Sequence, residues 1–279
     1  EPFAVESFAG RVSSVGFVGN EGYLAILMAI ATAASLSVAL TTSSSAQCAL
    51  AWCAVGLFVL ALALTRDITG WIALLVGALP VARERFVDRR TGLWAAAAVL
   101  ILVTGLGATP AARVRLVDLA RKAQAGQWDS LLSYRCGPWA AAVAMVRDRP
   151  LLGFGPGTYE AEFVPHRLRA EIYWRHRFVT PDLNSSYAQA HCDYLQALAE
   201  AGIPAGLSAD LAFAILLIGL FRAGRCAGEA LHQERLVVQA ILLSGAIAAL
   251  SWSPLQEPAL SIPLLLSAGR AWRLLGETS

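Results

Sequence analysis

Charge is what this chain has least of. Only 15% of its 279 residues are charged, against 57% hydrophobic, where a soluble globular domain carries about a quarter charged residues. Such a deficit, with long apolar runs, points to a bilayer rather than to water. The formal net charge is +2, too small to suggest a nucleic-acid partner. Cysteine is sparse as well, with five residues in the chain. Cys48 and Cys53 lie in or beside apolar runs, Cys226 in a short basic loop, and Cys136 and Cys192 in a long polar segment. No Cys-x-x-Cys pair occurs, so no zinc site is expected. The chain opens on Glu1-Pro2 with no basic stretch, short apolar core and cleavage site, so no signal peptide is read there.

Familiar catalytic signatures are also missing. No HExxH, GxSxG, DxD or paired-carboxylate pattern stands in a matching context, so metal, serine-hydrolase and glycosidase readings lack support. Gly153-Phe154-Gly155-Pro156-Gly157 has the look of a phosphate cradle. No strand precedes it and no Gly-Lys-Ser/Thr follows, so it reads as a sharp turn between helices. Its backbone N–H groups remain candidates for holding an anion.

What the chain does have is apolar stretches of roughly membrane-spanning length. They fall at about 23–41, 48–65, 68–82, 93–108, 206–222, 236–252 and 259–272. A backbone in hydrocarbon must satisfy its own hydrogen bonds, so these are read as helices. The fold class expected is an all-α integral membrane protein. It has about seven transmembrane helices and one large water-exposed helical segment between the fourth and fifth, which the family resemblance given below would make periplasmic. The corresponding units are four N-terminal spans in 1–108, the water-exposed segment 109–205 and three C-terminal spans in 206–279.

Arginines set the orientation. Arg83, Arg85, Arg89 and Arg90 fall in one loop, Arg222, Arg225 and Arg235 in another, and Arg270 and Arg273 near the C-terminus. With seven spans these regions share one side, which should be the cytoplasm. The segment 109–205 then faces outward. Within it, residues 112–124 read as a helix lying near the membrane surface, with Val114, Val117 and Leu119 among Arg113, Arg115, Arg121 and Lys122. A second helix runs from Pro138 to Asp148, an irregular stretch follows, and a third helix starts near Ser185 or Ser186 and ends at Gly202. On that last helix His191, Leu195 and Leu198 share a face.

Three residues there or nearby can carry chemistry. His191 suits general-base work, and a helix N-terminus would favour its neutral form. Arg66, at the outer membrane boundary, and Arg135, before the Pro138 helix, each offer a fork of donors that fits phosphate oxygens. The competing roles are a packing histidine, a snorkelling Arg66 and a solvated Arg135.

The motifs around these residues resemble the O-antigen ligase and O-antigen polymerase family. The runs are Arg135-Cys136-Gly137-Pro138-Trp139 through Met145, and Asp148-Arg149-Pro150-Leu151-Leu152-Gly153 through Tyr159. Ala190-His191-Cys192-Asp193-Tyr194-Leu195-Gln196, Glu200-Ala201-Gly202-Ile203, Arg11 with Gly19-Asn20, and Leu64-Thr65-Arg66 also fit. The resemblance implies a membrane glycosyltransferase of the bacterial cell envelope, acting in polysaccharide or lipopolysaccharide biosynthesis. It would take a glycan from undecaprenyl diphosphate on the periplasmic side of the inner membrane, without metal or nucleotide cofactor. The acceptor would be a hydroxyl of lipid A-core, of a second carrier-linked glycan, or of a protein. Arg66, Arg135 and His191 match the family's catalytic positions, and Arg11, Tyr159, Tyr187 and Asp193 are assigned to substrate binding. Two departures stand out: Cys192 replaces the usual Asn, and Asp67-Ile68-Thr69-Gly70 follows Arg66 without a second basic residue. Family members have about ten to twelve spans, so the chain is expected to be the C-terminal part of a longer protein. A disulfide between Cys136 and Cys192 is a side expectation, weighed against two free thiols. The rival class is a transporter or flippase for lipid-linked glycan; near absence of charge inside the spans, Asp210 apart, argues against it.

Overall fold

The computed structural model describes residues 4–6, 12–14, 18–65, 67–85, 110–179, 187–222 and 228–278. Arg11, Arg66, Cys226, Ser185, Ser186 and the expected span at 93–108 lie outside the described residues. A short antiparallel pair, β1 (Ala4–Glu6) and β2 (Val12–Ser14), opens the chain. Then come α1 (Glu21–Thr41), α2 (Ser45–Thr65), α3 (Ile68–Gly77) and α4 (Leu79–Arg85). The polar segment supplies α5 (Pro110–Gln124), α6 (Trp128–Leu131), α7 (Cys136–Asp148) and α8 (Tyr159–Trp174). The chain finishes with α9 (Asp193–Arg222), α10 (Glu229–Ala248) and α11 (Pro258–Thr278).

Among the described helices, α1, α2 and α9 are long and apolar enough to cross a membrane. They make the chain a multi-pass helical membrane protein. Seven spans had been expected. The third of them is two helices meeting at Ala78, of which α3 has 10 residues. Helices α10 and α11 are long enough, but each carries charge, with Glu229, His232, Glu234 and Arg235 on one and Arg270 and Arg273 on the other.

Local chemistry starts these helices where the sequence allows. Asn20 caps α1, its side-chain oxygen accepting from the N–H groups of Gly22 at 2.8 Å and Tyr23 at 3.3 Å. Asp67 caps α3 in the same way, at 3.0 Å from the Gly70 N–H. The bundle core is built from small residues: Ala25, Ala29, Ala33, Ala73 and Ala240 pack with Leu62 and Leu74. Small side chains let backbones approach where lipid supplies no hydrophobic drive between helices. A Cβ on Gly77 would lie 2.0 Å from the Ser244 hydroxyl oxygen, and that hydroxyl donates to the Ala73 carbonyl at 3.0 Å.

The bundle has two chemically distinct ends. At one, Arg85 donates to the Leu40 carbonyl, Glu84 meets His232 at 2.5 Å and Arg235 at 3.3 Å, and Arg270 meets Glu234 at 2.6 Å. At the other, Tyr23 near the start of α1 reaches Gln189, and the Asp193 N–H donates to the Ala249 carbonyl at 3.0 Å. The polar segment therefore sits at the opposite end of the bundle from this basic cluster.

Two expectations for that segment need correction. The stretch expected to be irregular contains α8, with Pro165 inside it. The third helix of the segment begins at Asp193 rather than near Ser185 or Ser186; it ends at Gly202 as expected, where φ 79 and ψ 167 separate it from the span that follows. Pro204 falls in the first turn beyond the break, where a missing N–H costs least.

Candidate functional site

Arg135 is presented by a strained turn. Ser133 and Tyr134 both adopt left-handed backbone, at φ 54 and 61, a conformation that costs L-residues about 1–2 kcal/mol each. The Tyr134 N–H donates to the Asp129 carbonyl at 2.6 Å and the Arg135 N–H to Leu132 at 3.2 Å. Arg135 then stands immediately before α7, with its guanidinium carbon 4.8 Å from the centre of the Trp252 ring. That is a cation–π contact. Burial lowers the Arg135 pKa, and the neighbouring Asp67 charge opposes the shift. Burial in turn raises the Asp67 carboxyl, against the pull of its Gly70 bond and of Arg135.

His191 sits two residues before the start of α9 in left-handed backbone, at φ 52. It is therefore not on the helix, and the face it was expected to share with Leu195 and Leu198 does not exist. Its carbonyl accepts from the Trp139 indole N–H at 3.3 Å. Its ring stands nearly perpendicular to two others, Tyr187 at 5.7 Å and Trp252 at 5.5 Å. Burial, and secondarily the Arg135 charge, push its pKa down to about 4. The imidazole is neutral at physiological pH, as a base requires, but the cause is desolvation rather than a helix dipole.

Trp252 joins these two residues, and sequence reasoning missed it. It comes from the turn between α10 and α11. Besides Arg135 and His191 it meets Tyr23, ring centres 5.2 Å apart. A Cβ on Gly22 would lie 2.0 Å from its ring, so only glycine fits beneath it. The Tyr23 hydroxyl donates to the Gln189 side chain. The turn itself is held by Asp193, whose carboxylate accepts from the Leu255 N–H at 2.9 Å.

A second set of contacts fixes the His191 segment from behind. The Ala190 N–H donates to the Gln196 side chain at 3.0 Å, and the Gln196 amide donates to Glu200 at 3.1 Å. The buried Glu200 carboxylate also accepts from the N–H groups of Gly157 at 2.9 Å and Tyr159 at 3.2 Å. The Gly155 N–H donates to the Glu200 carbonyl at 2.8 Å. The glycine loop thus spends the N–H groups of Gly155 and Gly157 inside the protein, so the anion-holding role does not apply to them. Its glycines serve close approach. A Cβ on Gly153 would stand 2.3 Å from the Glu200 carbonyl oxygen, and one on Gly202 would stand 2.4 Å from that of Leu151. Glu200 was legible only as part of a motif; its four-residue spacing from Gln196 on an otherwise apolar turn was the available signal.

The remaining candidates sort by position. Tyr187 lies at the site, its hydroxyl 3.5 Å from the Tyr134 carbonyl. Asp193 is buried and spent in part on the Leu255 turn. Tyr159 is fully buried among Ala142, Met145 and Phe163, with its hydroxyl donating to the Pro138 carbonyl at 2.8 Å. Its assignment to substrate binding gives way to a core role, because no part of its side chain reaches the surface. The other histidines of the segment are tied to carboxylates: His166 is 3.2 Å from Asp148, and His176 is 3.3 Å from Asp129. Cys136 and Cys192 are free thiols, not the disulfide held out as a side expectation. Burial, with Asp129 beside it, pushes the Cys136 thiol up to about 11.

The family model described as O-antigen ligase matches residues 24–209. The chain belongs to the O-antigen ligase family. No curated protein matches it. Arg135, the glycine loop, His191 and Glu200 all fall inside the matched stretch, and Trp252 falls beyond it. Membership makes the chain a membrane protein of the O-antigen ligase and polymerase type, whose members are glycosyltransferase-like. Within the matched stretch, the glycine loop and the Glu200-Ala201-Gly202 run are two halves of one contact.

Proposed function

We propose that the chain transfers a glycan from an undecaprenyl-diphosphate carrier to an acceptor hydroxyl, at the periplasmic face of the bacterial inner membrane. The observation that carries this reading is the meeting of a half-buried cation and a neutral imidazole on one aromatic ring, Arg135 and His191 on Trp252. A diphosphate leaving group needs a permanent positive charge, and a hydroxyl nucleophile needs an uncharged base. In the step envisaged, the acceptor oxygen attacks the anomeric carbon and gives its proton to His191. The bond from that carbon to the diphosphate oxygen breaks, and the electron pair leaves with the diphosphate beside Arg135. Arg66 is proposed as the second cation on the diphosphate, next in sequence to Asp67, which interacts with Arg135. Arg11, Tyr187 and Asp193 are proposed to line the substrate path. The spans of 1–108 and 206–279 hold the segment 109–205 at the lipid surface, and the arginine-rich end faces the cytoplasm.

A polymerase of the same family would use the same residues, with a second carrier-linked glycan in place of lipid A-core or a protein as acceptor. A flippase fits less well, because the paired cation and base stand at the head of the bundle and not at mid-span. The test is transfer by purified protein in lipid, using an undecaprenyl-diphosphate glycan and each acceptor class. His191→Ala and Arg135→Ala should each abolish product while the protein stays membrane-inserted. Full transfer by either variant would defeat the assignment, and transport without transfer would favour the flippase.

A further inference from the structure

Leu151 and Leu152 form the tip of the turn between α7 and α8, and they are 71% and 85% exposed. Adjacent leucines this open to water are costly unless something apolar covers them. Their backbone is not free to hide them. The Pro150 carbonyl accepts from the Ile203 N–H at 2.7 Å, and Gly153 and Gly202 interlock the two strands of chain at closer than side-chain distance.

What the tip is pinned to identifies its partner. From the break at Gly202 to Arg222, α9 is an apolar candidate span. At 1.5 Å per residue that stretch is about 30 Å long, the thickness of a bilayer's hydrocarbon core. Ile203, Leu207, Leu211, Ile215 and Ile218 are all exposed along it, at spacings that keep them on one side. Arg222 marks one boundary of the hydrocarbon and the Gly202 break marks the other. Leu151 and Leu152 stand at that second boundary, beside Ile203, where the exposed stripe reaches the end of the span. Charge begins immediately behind them, with Asp148 paired to Arg169 and the Arg149 guanidinium 4.5 Å from the Phe154 ring. An apolar tip backed by arginine matches the division between acyl chains and headgroups.

We propose that Leu151 and Leu152 insert into the acyl region of the adjoining lipid leaflet. The turn is then a membrane seat for the polar segment. Through Gly157, Glu200, Gln196 and Ala190 it also fixes the height of His191 above the lipid. Insertion itself does not depend on the glycosyl-transfer reading and goes beyond it.

A spin label on Leu152→Cys tests this in the full chain in phosphatidylglycerol–phosphatidylethanolamine vesicles. The accessible native thiols are replaced by Ser, and the unlabelled-site parent serves as the blank. Ile215→Cys supplies the lipid-facing reference. Oxygen, which concentrates in acyl chains, should relax the Leu152 label several-fold more than a water-soluble nickel chelate, approaching the Ile215 ratio. Preference for the nickel chelate would place the tip in water and overturn the proposal. Low accessibility to both would mean that protein covers the tip, and would overturn it equally.

Discussion

Replacing Glu200 tests the idea that one buried carboxylate holds the His191 segment in place. Its oxygens accept from the Gly157 N–H at 2.9 Å, the Tyr159 N–H at 3.2 Å and the Gln196 amide at 3.1 Å. Glu200→Ala removes both acceptor oxygens and leaves three donors without partners. Each orphaned donor costs about 1–3 kcal/mol, partly offset because no carboxylate need be buried. The net loss should be roughly 3–5 kcal/mol. Glu200→Gln keeps one carbonyl oxygen but turns an N–H₂ toward a donor, so it should fall between, at about 1–3 kcal/mol. Denaturant unfolding in detergent micelles reads the order wild type, Gln, Ala. The damage should reach His191 through Gln196 and Ala190, so transfer should drop more steeply than stability alone explains. An Ala variant within about 0.5 kcal/mol of wild type, a typical surface-substitution effect, would refute the reasoning.

Other expectations follow from the same geometry. Gly202→Ala should abolish stable folding, since its Cβ would meet the Leu151 backbone at 2.4 Å at a φ of +79; Gly157→Ala, also at positive φ but with nothing nearby, should cost only about 1–2 kcal/mol. Proteolytic resistance of the two variants separates strain from collision. The His191 pKa near 4 predicts that kcat/KM holds on acidification through pH 6 and falls only as pH drops through about 4. A midpoint near 6.5, the ordinary histidine value, would contradict the buried placement. Between those values the unfolded chain binds a proton that the folded one does not, so this group's contribution to stability is lost as pH falls through that window. Arg135→Ala, followed by NMR titration of the imidazole because its activity is lost, should raise the His191 midpoint but leave it below 6.5, because burial is the larger cause. Trp252→Ala should cost about 3–5 kcal/mol and most of the transfer activity, while Trp252→Phe, which keeps a ring for both partners, should cost less. Gly22→Ala should mimic Trp252→Ala in activity by displacing the ring.

The sequence by itself determined the chemical class of the chain. Low charge and long apolar runs dictate helices in a bilayer, because hydrocarbon leaves no other partner for backbone N–H and C=O groups. Arg135 and His191 were legible too, since their neighbours carry a recognisable pattern at fixed local spacing. Helix α8 was not read, although Tyr159, Phe163, His166 and Ala170 are its buried face at helical spacing. Pro165 interrupts the run, and histidine and alanine do not announce an apolar stripe. Tertiary structure decided everything that depends on approach between distant segments. It put Trp252 between two residues 117 and 61 positions before it in the numbering. It gave the glycine loop a partner 43 residues on, in Glu200. It also set the protonation of His191, because desolvation depends on what packs around a ring and no local pattern encodes that.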